Sequence, residues 1–278
     1  MTLKSNISHY FIKYFYIVVI AGLTLLGGCT STSQQPYIVS SDSAPKNPPK
    51  NLANIPNAVP KAEPLSKYGN KPVYSVDGET YHVLKSSAGY DAKGIASWYG
   101  VKFNGRRTSS GEPYDMYGMT AASKVLPLPT YVRVTNLDNG RQVVVKVNDR
   151  GPFHQNRIID LSYTAAYKLG VLPTGTALVR VQAISSHTPY QEAVTHVQPS
   201  HPKIYLQVAA LSNHKNAELL VQRLQRQVKE PVILRTAGTN SHPIYRVQIG
   251  PLSDVSLSDA LYKKIKHEHL GKPFTIVE

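Results

Sequence analysis

The stretch "VVVKVNDRGPF", residues 143–153, decides how the chain is read. Its valines around Lys146 are β-branched and read as a buried strand. Asn148, Asp149 and Arg150 follow, and Gly151-Pro152 is a turn signal. A carboxylate therefore stands on the lip of a strand, beside a permanent cation. A strand end holds a side chain more firmly than a free loop, and a reacting group needs that precision. Adjacent strand residues point to opposite faces, so Arg150 is expected to look away from Asp149. A structural Asp–Arg turn pair is the competing reading.

Working outward, "GIASWYG", "TYVRVTN", "RQVVVKVND" and "TALVRVQAI" are short β-rich segments between Gly94 and Ile184, separated by turns such as Asp138-Asn139-Gly140. Strands this short and this regularly spaced predict a small closed barrel. One helix is expected at "LSYTAAYKLG", with Ser162 as N-cap and Gly170 at its C-terminal end. Upstream, "KPVYSVDGETYHVL" alternates about Asp77-Gly78 and reads as a hairpin leading into the barrel.

Beyond a polar linker, the chain reads strand, helix, strand, strand, helix, strand. "KIYLQVAAL" alternates, and "NHKNAELLVQRLQRQV" repeats apolar residues at helical spacing. This predicts a small α+β sandwich with its helices on one sheet face. Leu206 and Val208 are expected to meet those helices. Gln207 would then lie on the open face, joined there by Arg246 and Gln248 of "IYRVQIG". Exposed polar sheet faces of this kind are also common without function.

The N-terminal segment has Lys4 and Lys13, an apolar run from Phe15 to Leu26, and then Gly27-Gly28-Cys29. The run is short of the roughly 20 residues that span a bilayer and reads as a secretory signal. Leu26-Gly27-Gly28-Cys29 resembles a bacterial lipobox, which implies lipidation of Cys29. Cys29 is the only cysteine, so an internal disulfide is excluded. With 31 Lys and Arg against 17 Asp and Glu, the formal net charge is +14. Such a balance favours anionic partners. Export sets nucleic acid aside and leaves the acidic wall polymer peptidoglycan.

The barrel motifs "GIASWYG", "GRRTSSGEPYDM", "MTAAS", "LPLPTYVRVTNL", "VNDRGPF" and "RIIDLSYTAAYKLG" resemble the rare lipoprotein A family. "YLQVAAL", "NAELLVQRL" and "YRVQIGPL" resemble the sporulation-related repeat (SPOR) domain. The resemblance implies a mainly-β double-psi β-barrel followed by a small α+β SPOR domain of RNP-like architecture. The expected layout is a signal peptide at 1–28, a flexible tether at 29–70, the barrel with its N-terminal extension at 71–184, a linker at 185–202 and the SPOR domain at 203–278.

The resemblance also implies a septal lytic transglycosylase, which breaks the MurNAc–GlcNAc bond of peptide-stripped glycan strands without water. The muramic acid 6-hydroxyl attacks its own anomeric carbon and leaves a 1,6-anhydro ring. One carboxyl group can serve both proton transfers in turn. By resemblance Asp149 is the catalytic acid/base and Glu112 the second carboxylate of the cleft, with Asp115 a weaker candidate. Trp98, Tyr99, Ser123 and Arg150 are expected to border the sugar, although aromatic residues such as Trp98 are more often core. Gln207, Arg246 and Gln248 are expected to touch glycan in the SPOR domain. Asp160 is expected to cap the helix or hold the barrel. Ser123 and Asn104 stand where the family usually has histidine, and neither titrates near neutral pH. A silent glycan-binding lipoprotein is therefore the alternative. No cofactor or metal is expected, and the anchor implies the periplasmic face of the outer membrane, enriched at the division septum.

Overall fold

A computed structural model describes residues 42–154, 156–185 and 198–278. The signal segment, Cys29 and the first part of the expected tether lie outside the described residues, as does most of the expected linker.

The barrel is closed by six strands: β3 (Asp91–Trp98), β4 (Thr120–Ala122), β5 (Thr130–Asn136), β6 (Gln142–Asp149), β7 (Ile159–Leu161) and β8 (Ala177–Ala183). Around the barrel they run β3-β7-β4-β6-β5-β8. The β3/β7 and β4/β6 pairs are parallel, and the rest are antiparallel. Val145 and Val147 are fully buried and Val143 is 1 % exposed, in one core with Ala96, Ala121, Ile159, Leu161 and Val179. Each buried valine, leucine or isoleucine among them stabilises the fold by roughly 1.5–3 kcal/mol.

The helix α1 (Tyr163–Leu169) forms where its signals placed it. The Ser162 side chain accepts from Ala165 N, and Gly170 closes the helix at φ 78°. The hairpin β1 (Val73–Val76) and β2 (Glu79–His82) turns on Asp77 and Gly78, both at positive φ, 49° and 78°. That is the geometry whose twist matches paired strands.

Residues 42–70 correct the expectation of a free tether: they lie along the barrel as a strap. β4 pairs with β6 only from Lys146 onward, so the earlier edge of β6 is open on that side. There Ala58 N donates to Val144 O, and Val144 N donates to Asn57 Oδ1. Leu52, in a short 3-10 turn, is 3 % exposed against Tyr99, Tyr114, Met116 and Tyr163. Ser66 N donates to Leu128 O, and the Asn70 side chain bonds Leu128 through both its amide oxygen and its amide nitrogen. The segment has little apolar surface of its own, but a sheet edge supplies the partners its backbone needs.

The C-terminal part contains β9 (Ile204–Leu211), α2 (His214–Gln225), β10 (Val232–Thr239), β11 (His242–Leu252), α3 (Val255–His267) and β12 (Phe274–Val277). Its antiparallel sheet runs β10-β11-β9-β12. Leu206, Val208, Val247 and Ile249 are fully buried with Ala217 and Leu224 of α2 and Ile265 of α3. Asn213 and Asp254 cap the two helices. Asn156 and Arg157, just ahead of β7, bond Asp259 of α3 at 2.9 and 2.8 Å, and Asn156 Oδ1 accepts from Thr275 N of β12.

Candidate functional site

The β4/β6 pairing contains a register shift between Ala121 and Ala122, so Ala121 faces Val147 while Ala122 faces Asp149. An extra residue in one strand re-aims its neighbours, and such bulges recur beside functional sites. Here the extra residue is Asn148, and both Asn148 and Asp149 turn toward the loop that contains Arg107–Pro113. Asn148 Nδ2 donates to Glu112 Oε2 at 2.8 Å. Asp149 Oδ1 accepts from Ser109 N at 2.7 Å, Ser109 Oγ at 2.6 Å and Arg150 N at 2.7 Å. All its hydrogen bonds among the described residues fall on Oδ1, which leaves Oδ2 for a ligand.

Glu112 shares this face. Lys146 Nζ lies 2.8 Å from Glu112 Oε1 and 3.0 Å from Glu63 Oε2 of the strap. Burial works against the charge of Glu112, but the Asn148 amide and the Lys146 ammonium outweigh it and hold the carboxyl below its usual range. Glu112 is thus an acceptor that can orient a hydroxyl, not a proton donor near neutral pH. Lys146 and Asn148, which build this arrangement, were not singled out from the sequence; alternation across the bulge hid them.

Several expected contacts are corrected. Arg150 looks away from Asp149, as alternation suggests, and its guanidinium is taken up within the protein rather than turned to a free surface. Its guanidinium donates to Gly69 O, Ser123 O and Leu126 O and to Asn70 Oδ1, over the face of Tyr74. It clamps the strap and the β4–β5 loop together. Ser123 is fully buried, and its Oγ accepts from Val125 N and Leu126 N, so it shapes a turn and cannot touch sugar. Asn104 Oδ1 accepts from Met116 N, again within a loop. Asp115 Oδ1 accepts from Tyr117 N in a local turn. Trp98 packs on the barrel core with Tyr163, their ring centroids 5.6 Å apart. Tyr99 is 7 % exposed and stacks on Tyr114 at 4.0 Å, so it belongs to the core, whereas Trp98 is only partly buried.

In the C-terminal sheet Gln207 and Gln248 are 5 % and 1 % exposed, which removes them from an open face. They are register partners on adjacent strands, and Gln248 Nε2 donates to Gln207 Oε1 at 3.3 Å. Each amide satisfies part of the other's polarity inside the sheet. Arg246, one turn of the pleat away, is exposed and open to an anionic or hydroxyl-rich ligand.

Asp160 does not cap the helix; Ser162 does. Its carboxyl is densely surrounded and receives the Ser97 hydroxyl on Oδ1. Burial pushes it up to about 6, against the pull of Ser97, Arg157 and Lys124, with Asp42 pushing the same way as burial.

Comparison with known proteins agrees with this construction. A family model described as lytic transglycolase matches residues 91–181, and one described as SPOR domain matches residues 200–276. The endolytic peptidoglycan transglycosylase RlpA of Vibrio cholerae is 41 % identical over 91 % of this chain and 92 % of its own. The protein of the same name from Pseudomonas aeruginosa strain UCBPP-PA14 is 36 % identical over 90 % and 92 %. The crystal structure of the RlpA SPOR domain from Pseudomonas aeruginosa is 30 % identical, covers 26 % of this chain and 96 % of its own, and has a TM-score of 0.25. With a double-psi barrel and a SPOR domain in that order, and such identity along nearly its full length, the chain belongs to the RlpA family of endolytic peptidoglycan transglycosylases.

Proposed function

We propose that this protein cuts the MurNAc–GlcNAc bond of peptidoglycan glycan strands by lytic transglycosylation, leaving 1,6-anhydroMurNAc ends. The observation that carries the reading is Asp149: a carboxylate at a strand end, locked by three donors on one oxygen, with its other oxygen open. That oxygen takes the proton of the muramic acid 6-hydroxyl as O6 closes on C1. The bond from C1 to the GlcNAc O4 breaks, and O4 gains a proton. A single carboxyl group can carry both transfers in turn, so Asp149 is the smallest machinery the reaction requires. Glu112, held ionised by Lys146 and Asn148, orients sugar hydroxyls beside it.

Arg246 and the strand around it supply glycan contact in the SPOR domain, with peptide-stripped strands as the favoured ligand. A formal net charge of +14 draws the protein to the acidic wall. A lipid on Cys29 would tether it to the periplasmic face of the outer membrane, with the SPOR domain enriching it at the septum, where cutting assists daughter-cell separation. The names of the relatives support the activity, and the matched SPOR domain supports the wall as partner.

The test is incubation of the soluble chain lacking residues 1–29 with intact sacculi and with amidase-stripped sacculi, followed by mass spectrometry. Anhydromuramic ends released from stripped sacculi are expected. Stripped sacculi that are bound but not cut would leave only a glycan-binding protein.

A further inference from the structure

Asp160, Ala122 and Asp149 are register neighbours across β7, β4 and β6, and Ser97 of β3 continues the row. The next row, Trp98, Leu161, Ala121 and Val147, packs on or within the barrel core. The first row therefore faces outward. Its two carboxylates are separated by two strand spacings, about 10 Å between Cα atoms, with Ala122 as the register partner of both. Gly151 borders the same space at φ 135°, where an L side chain is strained. A Cβ there would stand 3.7 Å from the Ala122 methyl and 3.9 Å from Asp160 Oδ2. With no side chain at Gly151, that side of Oδ2 carries no Cβ, while Oδ1 is held by Ser97. Asp160 is half-buried as a residue and so retains some exposure.

We propose that Asp160 is a second catalytic residue, the acid that protonates the leaving GlcNAc oxygen while Asp149 takes the proton of the muramic acid 6-hydroxyl. This rests on the transglycosylase reading and assigns its two proton transfers to two groups. As C1–O4 breaks, the bonding pair goes to O4, which takes the Asp160 proton. As O6–C1 forms, the O6 proton passes to Asp149. One proton leaves Asp160 and one arrives at Asp149, and exchange with solvent restores both. No water is consumed.

The surroundings suit an acid. Arg157 ahead of β7, Lys124 after β4 and Asp42 of the strap act on Asp160, and the Tyr99 and Tyr114 hydroxyls lie within its field. Asp149 acts on the same Tyr99. The net result holds Asp160 near 6, close enough to the working range to donate and recover a proton.

The experiment compares wild type, Asp160→Asn, Ser97→Ala and Asp149→Asn on two substrates. One is amidase-stripped sacculi. The other is GlcNAc–MurNAc carrying a β-4-nitrophenyl group, whose leaving oxygen departs without a proton. Asp160→Asn is expected to slow sacculus cleavage about 100-fold, in the range general acids contribute, and to leave nitrophenol release within a few-fold of wild type. Asp149→Asn should lose both. In wild type kcat/KM should fall as pH rises through about 6, and Ser97→Ala, which removes a donor to the ionised form, should move that limb upward. Equal losses by Asp160→Asn on both substrates, or an alkaline limb unmoved in Ser97→Ala, would overturn the assignment while the transglycosylase reading stands. If wild type releases no anhydromuramic ends, the reading itself falls and takes this assignment with it.

Discussion

Asp149 and Asp160 flank the same small residue, Ala122, yet their surroundings differ in kind. Asp149 ends a strand and collects three donors on a single oxygen. Asp160 stands in crowded surroundings, with one hydroxyl for company and burial as the dominant influence. Donors aimed at one oxygen fix the Asp149 carboxyl in place and leave its other oxygen without a partner among the described residues. Burial, only partly offset by Ser97, Arg157 and Lys124, raises the Asp160 carboxyl to about 6, so that it can hold and release a proton near there. In the proposed assignment one residue type, placed twice on one face, covers both halves of a proton exchange.

That contrast has a cost in stability, which supplies the largest expected effect on folding. The folded carboxyl of Asp160 sits near 6, above the roughly 3.9 of an unfolded chain, so the folded state binds more protons between those values. Stability therefore falls as pH rises from about 4 to 6, and the full deficit of roughly 2–3 kcal/mol persists above that window. Asp160→Asn removes the deficit. Its melting temperature should exceed that of wild type by about 5 °C at pH 7.5 and match it at pH 4. Thermal melts at both values check this, and a destabilised variant at pH 7.5 would show that the ionised carboxyl has partners that hold the fold.

A smaller effect is expected on the other side of the comparison. Ser109→Ala keeps the backbone donor to Asp149 Oδ1 and removes the hydroxyl at 2.6 Å. A hydrogen bond to a charged group is worth about 1.5–3 kcal/mol, and the loosened carboxylate should cost roughly tenfold in kcat with the fold intact. Steady-state cleavage of stripped glycan measures it. An unchanged kcat would mean that the turn does not position Asp149.

Much of the scaffold behind this contrast was legible. The valines around Lys146 announced β6, Ser162 and Gly170 bounded α1, and Asp77-Gly78 marked the hairpin. Each of those signals is local: a period, a cap or a positive φ. What stayed hidden depends on residues far apart in the chain. The strap of residues 42–70 has no core of its own, and it orders because β6 and Leu128 offer backbone partners. Gln207 and Gln248 alternate as an exposed face should, but they are buried register partners joined by one amide hydrogen bond. Ser123 looked like a vacancy in a site and is instead a filled turn. Asp160 read as a helix cap or a residue holding the barrel. Its relation to Asp149 exists only once β7, β4 and β6 have paired.

The account stands most directly on Asp149. Asparagine there keeps an oxygen to receive the Ser109 and Arg150 donors, so the strand end should survive while the proton acceptor is lost. The decisive measurement is the mass-spectrometric yield of anhydromuramic ends from stripped sacculi, taken for wild type and Asp149→Asn with matched thermal melts. The account predicts equal melts and a yield lowered at least about 1,000-fold in the variant, a loss of roughly 4 kcal/mol of transition-state stabilisation. A correctly folded Asp149→Asn protein that releases anhydromuramic ends at the wild-type rate would contradict it.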